Sequence, residues 1–170
     1  TTIQQHKPQH VELPKPEIKK TAWEEEAKSD PKYRLSYWGI DPELVKSYED
    51  MGVLYLYPWQ VYCLEENVES NKNLVYCAPT SGGKTLVAEI MMARRIKQTN
   101  KKVIYVVPYI SIAEEKTEYF KKLYEPLSIK VDGNYGPKYK PHDFGFEDEP
   151  DIIICTIEKA NSFINKYIDS

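Results

Sequence analysis

In the stretch Leu74-Val75-Tyr76-Cys77-Ala78-Pro79-Thr80-Ser81-Gly82-Gly83-Lys84-Thr85, four apolar residues run into a small turn with paired glycines, and the turn runs into a helical pattern that reaches about Gln98. An unbroken apolar run of this length fits a strand covered on both faces, as found inside parallel sheets. Two similar runs follow, Val103-Ile104-Tyr105-Val106-Val107 and Ile152-Ile153-Ile154-Cys155, with a weaker one at Ile129-Lys130-Val131. Helical patterns separate them. One spans Ser111 to about Tyr124, with Ser111 and Glu114 spaced as a capping box, and another spans Glu158 to Ile168, with Ala160, Phe163, Ile164 and Tyr167 on one face. Upstream, Asp41-Pro42-Glu43 supplies an N-cap, a proline at the first helical position and an early acid for a helix ending near Asp50 and Gly52, and a further helix follows Pro58. This order predicts an α/β fold: a mostly parallel sheet flanked by helices, with a surface loop from Gly133 to Pro150.

The turn itself has a chemical reading. It matches the P-loop template, with Ala78 in the place of the first glycine, followed by four residues and then Gly83-Lys84-Thr85. Gly82 and Gly83 remove side chains that would hold phosphate oxygens away from backbone N–H donors, and the start of the helix aims its positive end at the same point. Lys84 supplies a charge for the β and γ phosphates, and the Thr85 hydroxyl is a candidate magnesium ligand. The catalytic candidates are therefore Lys84 and Thr85. The wider nucleotide-binding set is Pro79, Thr80, Ser81, Gly82, Gly83, Lys84 and Thr85. The plainer alternative is a Gly-Gly turn opening an ordinary helix under a solvated lysine.

Composition narrows the class further. With 41% hydrophobic residues in 170, one buried core is expected. The 23 basic and 26 acidic side chains give a formal net charge of -3, so contact with a polyanion has to come from local groups. Cys63, Cys77 and Cys155 are odd in number and lack Cys-x-x-Cys spacing, which predicts buried, reduced thiols rather than a disulfide framework or a zinc site. No apolar stretch has the length of a bilayer span and the first residues carry no signal pattern, so the expectation is a soluble, intracellular protein with no membrane partner. Residues 1–31, with Pro8, Pro14, Pro16 and Pro31 among charged residues, read as a flexible extension, and residues 32–170 as the folded domain. Trp23, beside Glu24-Glu25-Glu26, reads either as an anchor for that extension or as a partly exposed aromatic.

A GTPase would carry an Asn-Lys-x-Asp motif, but Asn71-Lys72-Asn73-Leu74 and Asn165-Lys166-Tyr167-Ile168 both lack the acid. Pro79 through Glu89 instead resembles motif I of superfamily 2 helicases. It is especially similar to the DNA-repair branch containing helicase Q and the helicase domain of DNA polymerase theta. Trp38-Gly39-Ile40 through Tyr57-Pro58-Trp59-Gln60 resembles that branch's opening segment and Q-motif, which implies that Gln60 reads the adenine edge; alone, Gln60 also reads as an exposed helix residue. Val107-Pro108-Tyr109-Ile110-Ser111 is similar to motif Ia and Cys155-Thr156-Ile157-Glu158-Lys159 to motif Ib. The resemblance implies that Pro108, Ser111, Thr156 and Lys159 contact the backbone of single-stranded nucleic acid, with DNA favoured over RNA. By themselves, Ser111 and Thr156 read as N-caps. Val131-Asp132-Gly133-Asn134 resembles the branch's strand and glycine turn, with Asp132 a solvated turn residue.

The resemblance implies the N-terminal part of a RecA-like P-loop NTPase motor domain that uses ATP and magnesium, with a nuclear location. The branch's pattern continues with a strand ending in Asp-Glu-x-His and a second motor domain, and the 170 residues contain neither. The expectation is a chain that binds nucleotide and nucleic acid without appreciable hydrolysis. The alternative is a non-catalytic P-loop module that binds single-stranded nucleic acid or a protein partner.

Overall fold

The computed structural model describes residues 22–68, 70, 72–79, 82–136 and 150–168. Helix α1 (Ala22–Ser29) leads through two 3-10 turns (Pro31–Tyr33 and Leu35–Trp38) into α2 (Pro42–Asp50) and α3 (Pro58–Asn67). Then come α4 (Lys84–Thr99), β1 (Val103–Val107), α5 (Ile110–Tyr124), β2 (Val131–Asn134), β3 (Ile152–Thr156) and α6 (Ile157–Ile168).

The sheet is parallel throughout, in the order β1-β3-β2. Val103 and Val131 both lie opposite Ile152, and Val107 lies opposite Thr156. β3 is the central strand and every one of its residues is buried, as its unbroken apolar run requires. Phe120 of α5 is fully buried and meets the Tyr105 ring edge-on, 5.0 Å between centroids. The same core takes in Leu44 and Tyr48 from α2, Leu64 from α3, and Val87 and Ile90 from α4.

Local chemistry sets the helix starts. The Asp41 carboxylate accepts the Glu43 N–H at the head of α2, Pro42 occupies the first helical position, and the Lys97 ammonium lies 2.9 Å away. Lys97 and that N–H together hold the Asp41 carboxyl below the usual carboxylate range. α4 begins at Lys84 and ends one residue beyond the predicted Gln98.

Four expectations need correction. Leu74–Cys77 is not a strand: the segment has no ladder partner among the described residues, Val75 is 94% exposed and Cys77 is exposed. Leu74 and Tyr76 still face inward, and Tyr76 packs against Trp59 at 5.7 Å. Apolarity drives that face onto the helices, whereas a ladder needs a neighbouring strand, which is a tertiary matter. Secondly, α5 starts at Ile110 with Tyr109 as its N-cap, so Ser111 lies inside the helix and does not cap it. Thirdly, β2 is Val131–Asn134, displaced towards the expected glycine turn, which puts Asp132 in a strand. Its carboxylate accepts the Gly133 N–H. Lastly, helix α1 lies inside the segment expected to be an extension to Pro31, and Ala27 is fully buried there. Residues 1–21, Thr80, Ser81 and most of the expected loop (137–149) lie outside the described residues.

Candidate functional site

The glycine turn is built by close approach. A Cβ on Gly82 would lie 2.8 Å from the Pro79 carbonyl oxygen, which already accepts the Gly82 N–H at 3.0 Å. Gly83 has φ 74°, and a Cβ there would lie 2.6 Å from Gln60 Nε2. Both positions therefore require glycine, one for space and one also for its left-handed backbone. From this turn the helix α4 starts directly, with Gly83 as its N-cap and no side chain capping its first N–H groups. Such a helix start suits an anion, and the absence of Cβ atoms leaves the backbone donors reachable.

Gln60, 1% exposed, braces the turn. Its amide oxygen accepts the Tyr57 N–H at 2.7 Å and its nitrogen donates to the Gly83 carbonyl at 2.8 Å, tying the head of α3 to the loop. The Lys84 ammonium donates to the carbonyls of Ala78 and Pro79, both at 2.9 Å, so it already closes over the loop. The Tyr76 hydroxyl donates to the Lys84 carbonyl at 2.8 Å. The Thr85 side chain shares a hydrogen bond with the Tyr105 phenol, linking α4 to β1.

A cavity of about 810 Å³ opens beside the turn, lined by Gly82, Gly83, Lys84 and Thr85 together with Trp23, Leu54 and Tyr57. Its lining also includes a carboxylate that the sequence does not single out as functional. Glu89, 3% exposed on α4, accepts the Tyr48 hydroxyl at 2.8 Å and the Tyr119 hydroxyl at 3.3 Å, while Tyr124 donates to the Glu89 carbonyl at 3.0 Å. Burial pushes the Glu89 carboxyl above its ordinary range, against the pull of Tyr48, Lys116 and Tyr119. Burial likewise raises the phenols of Tyr48, Tyr119 and Tyr124, so all three remain donors. An acid on a helix face between Val87 and Ile90 was the available signal.

The candidate nucleic-acid contacts lie at the C-terminal ends of the strands. Pro108 and Ser111 are exposed after β1, beside exposed Tyr109 and Ile110. Thr156 is buried at the end of β3, and its hydroxyl bonds the Glu158 carboxylate. Glu158's own backbone N–H is the stronger influence, and the two hold that carboxyl below its usual range. A carboxylate thus occupies the start of α6, next in sequence to half-buried Lys159. Nearby, the buried side-chain amide oxygen Oδ1 of Asn134 has no hydrogen-bond partner among the described residues. The structure thus gathers Gln60 and Gly82 to Thr85 around one cavity and places Pro108, Ser111, Thr156 and Lys159 at the C-terminal ends of β1 and β3.

A parallel sheet whose helices carry a glycine turn and lysine at one helix start defines a RecA-like fold, and solved structures agree. A DUF1998 helicase, MrfA, solved with DNA and AMPPNP, superposes with a TM-score of 0.60 at 20% identity, over 69% of this chain and 17% of that one. A hypothetical ATP-dependent RNA helicase from Sulfolobus tokodaii gives 0.56 at 18% identity, over 76% and 38%. The DEAD/DEAH box helicase family model matches residues 57–170, and the chain belongs to that family.

Among relatives, mouse DNA polymerase theta is 40% identical over 79% of this chain and 5% of its own length. The human helicase POLQ-like protein is 38% identical over 70% and 11%. The ATP-dependent DNA helicase Hel308 of Thermococcus kodakarensis is 36% identical over 74% and 11%. The chain thus spans a small part of each. Among the described residues no helix is long and apolar enough to cross a membrane.

Proposed function

We propose that this chain is the ATP-binding and nucleic-acid-binding portion of a DNA helicase motor domain, acting in the nucleus. The observation that carries the reading is the juxtaposition of an uncapped helix start, two obligatory glycines and Lys84 along one wall of an 810 Å³ cavity. The residues fit a nucleoside triphosphate with magnesium. Amides of Gly82 to Thr85, with Thr80 and Ser81, would take phosphate oxygens, and Lys84 would supply the charge once it leaves the two carbonyls it now holds. Magnesium would supply further neutralisation of phosphate charge, with Thr85 as the protein ligand. Gln60 holds the glycine turn against the head of α3.

The strand-end turns provide backbone donors, which suit single-stranded DNA phosphates without net positive charge on the whole protein.

Isothermal titration with ATP-Mg tests the nucleotide reading. Lys84→Ala is expected to weaken binding at least about tenfold, the loss of one charge-assisted contact; equal affinity of the two proteins contradicts it. A single-stranded DNA titration at rising salt checks the second half: affinity should fall with salt, and no binding at low salt leaves a protein-interaction module as the alternative.

A further inference from the structure

We propose that Glu89 is a positioning residue for the magnesium ion of the bound nucleotide, accepting hydrogen bonds from the ion's water ligands while Thr85 ligates it directly. This rests on the nucleotide reading above and gives a task to a buried acid that phosphate binding leaves unused. Glu89 stands four residues after Thr85 on α4, about 6 Å along the helix and on the same face. Helical side chains lean towards the N-terminus, which carries the Glu89 carboxylate back towards Thr85. Both residues line the cavity. Their side chains also converge on one phenol: burial and, next, the Glu89 charge hold the Tyr105 hydroxyl above its ordinary range, and the Thr85 side chain shares a hydrogen bond with it.

The two carboxylate oxygens have different surroundings. Tyr48 and Tyr119 both donate to Oε2, at 2.8 and 3.3 Å. Oε1 takes no hydrogen bond from a described residue, yet it is not sealed from solvent as the unpartnered Asn134 Oδ1 is, so it opens to the cavity that Glu89 lines. A side chain only 3% exposed thus keeps one acceptor for a ligand. Joining α2, α4 and α5 needs Oε2 alone, and a glutamine amide oxygen would serve both phenols. Among the described residues no three acidic, histidine or cysteine side chains gather to hold a metal by themselves. A magnesium ion here therefore arrives with the phosphates and keeps several water ligands, whose protons need acceptors. Oε1, one helical turn from Thr85, is placed to be one.

The test is titration calorimetry of the full 170-residue chain with ATP in excess magnesium and with ATP in EDTA. The parent chain should bind the magnesium complex more tightly. Glu89→Gln should cut that advantage about tenfold while holding metal-free ATP within about twofold of the parent, because its amide oxygen keeps the phenols and its amide nitrogen cannot accept from a water ligand. An undiminished magnesium advantage in Glu89→Gln overturns the proposal, and so does an equal loss for both forms of ATP, which marks a purely structural role. A parent chain that binds both forms alike, and still depends on Lys84, overturns it and leaves the nucleotide reading standing. A parent chain that binds neither form overturns both. Should Glu89→Gln not fold, Glu89→Asp replaces it: the shorter acid keeps the charge but withdraws the oxygen, so it must lose magnesium advantage at matched metal-free affinity, and an advantage equal to the parent's overturns the proposal.

Discussion

Glu89 lies buried between two phenol donors, and its carboxyl holds its proton more tightly than in the unfolded chain, chiefly because burial penalises the charge. The sign of the linkage follows. This group favours the fold fully below its unfolded value near 4.5, and the contribution is lost as pH rises through the higher folded value. Glu89→Gln keeps an acceptor for Tyr48 and removes the charge. Thermal melts from about pH 4.5 to about pH 7 should show the parent chain losing stability relative to Glu89→Gln; a constant difference across that window contradicts the account. Gly83 is the second decisive residue, since its positive φ and the buried amide of Gln60 leave an alanine no room.

At the scale of elements, α5 anchors the sheet through Phe120, which is fully buried against Tyr105, Tyr119 and Tyr124. Phe120→Ala should cost about 3–5 kcal/mol, read as a lower urea midpoint; a loss under about 1 kcal/mol would mean that the ring is not part of the core. Elements with strong local signals were legible in the sequence. α2 has Asp41-Pro42 at its head, α4 starts at the glycine turn, and β3 is apolar without interruption. What failed was decided by tertiary neighbours. Leu74–Cys77 reads like β3 yet lies extended and unpaired among the described residues, because periodicity reports burial tendency and not ladder partners. Ser111 has the chemistry of a cap, but the chain turns into α5 two residues earlier than its position needs. The site was half legible. The glycines and lysine follow from phosphate chemistry, whereas Trp23, Tyr48 and Tyr119 reach the cavity from three separate helices and carry no shared motif.

The whole molecule joins these parts around one cavity: α1, α2, α3, α4 and α5 all contribute to its wall, α5 packs on all three strands and α3 packs on α4. The overall charge of -3 does not attract a polyanion, so the binding of a triphosphate must come from the amides and the ammonium at the start of α4. A crystal structure of this chain grown with magnesium and a non-hydrolysable ATP analogue tests that claim most directly. The account predicts the phosphates against the Gly82 to Thr85 amides, with the Lys84 ammonium moved from the Ala78 and Pro79 carbonyls onto phosphate oxygens. A nucleotide bound elsewhere, or a lysine still held by those carbonyls beside an occupied pocket, would contradict it.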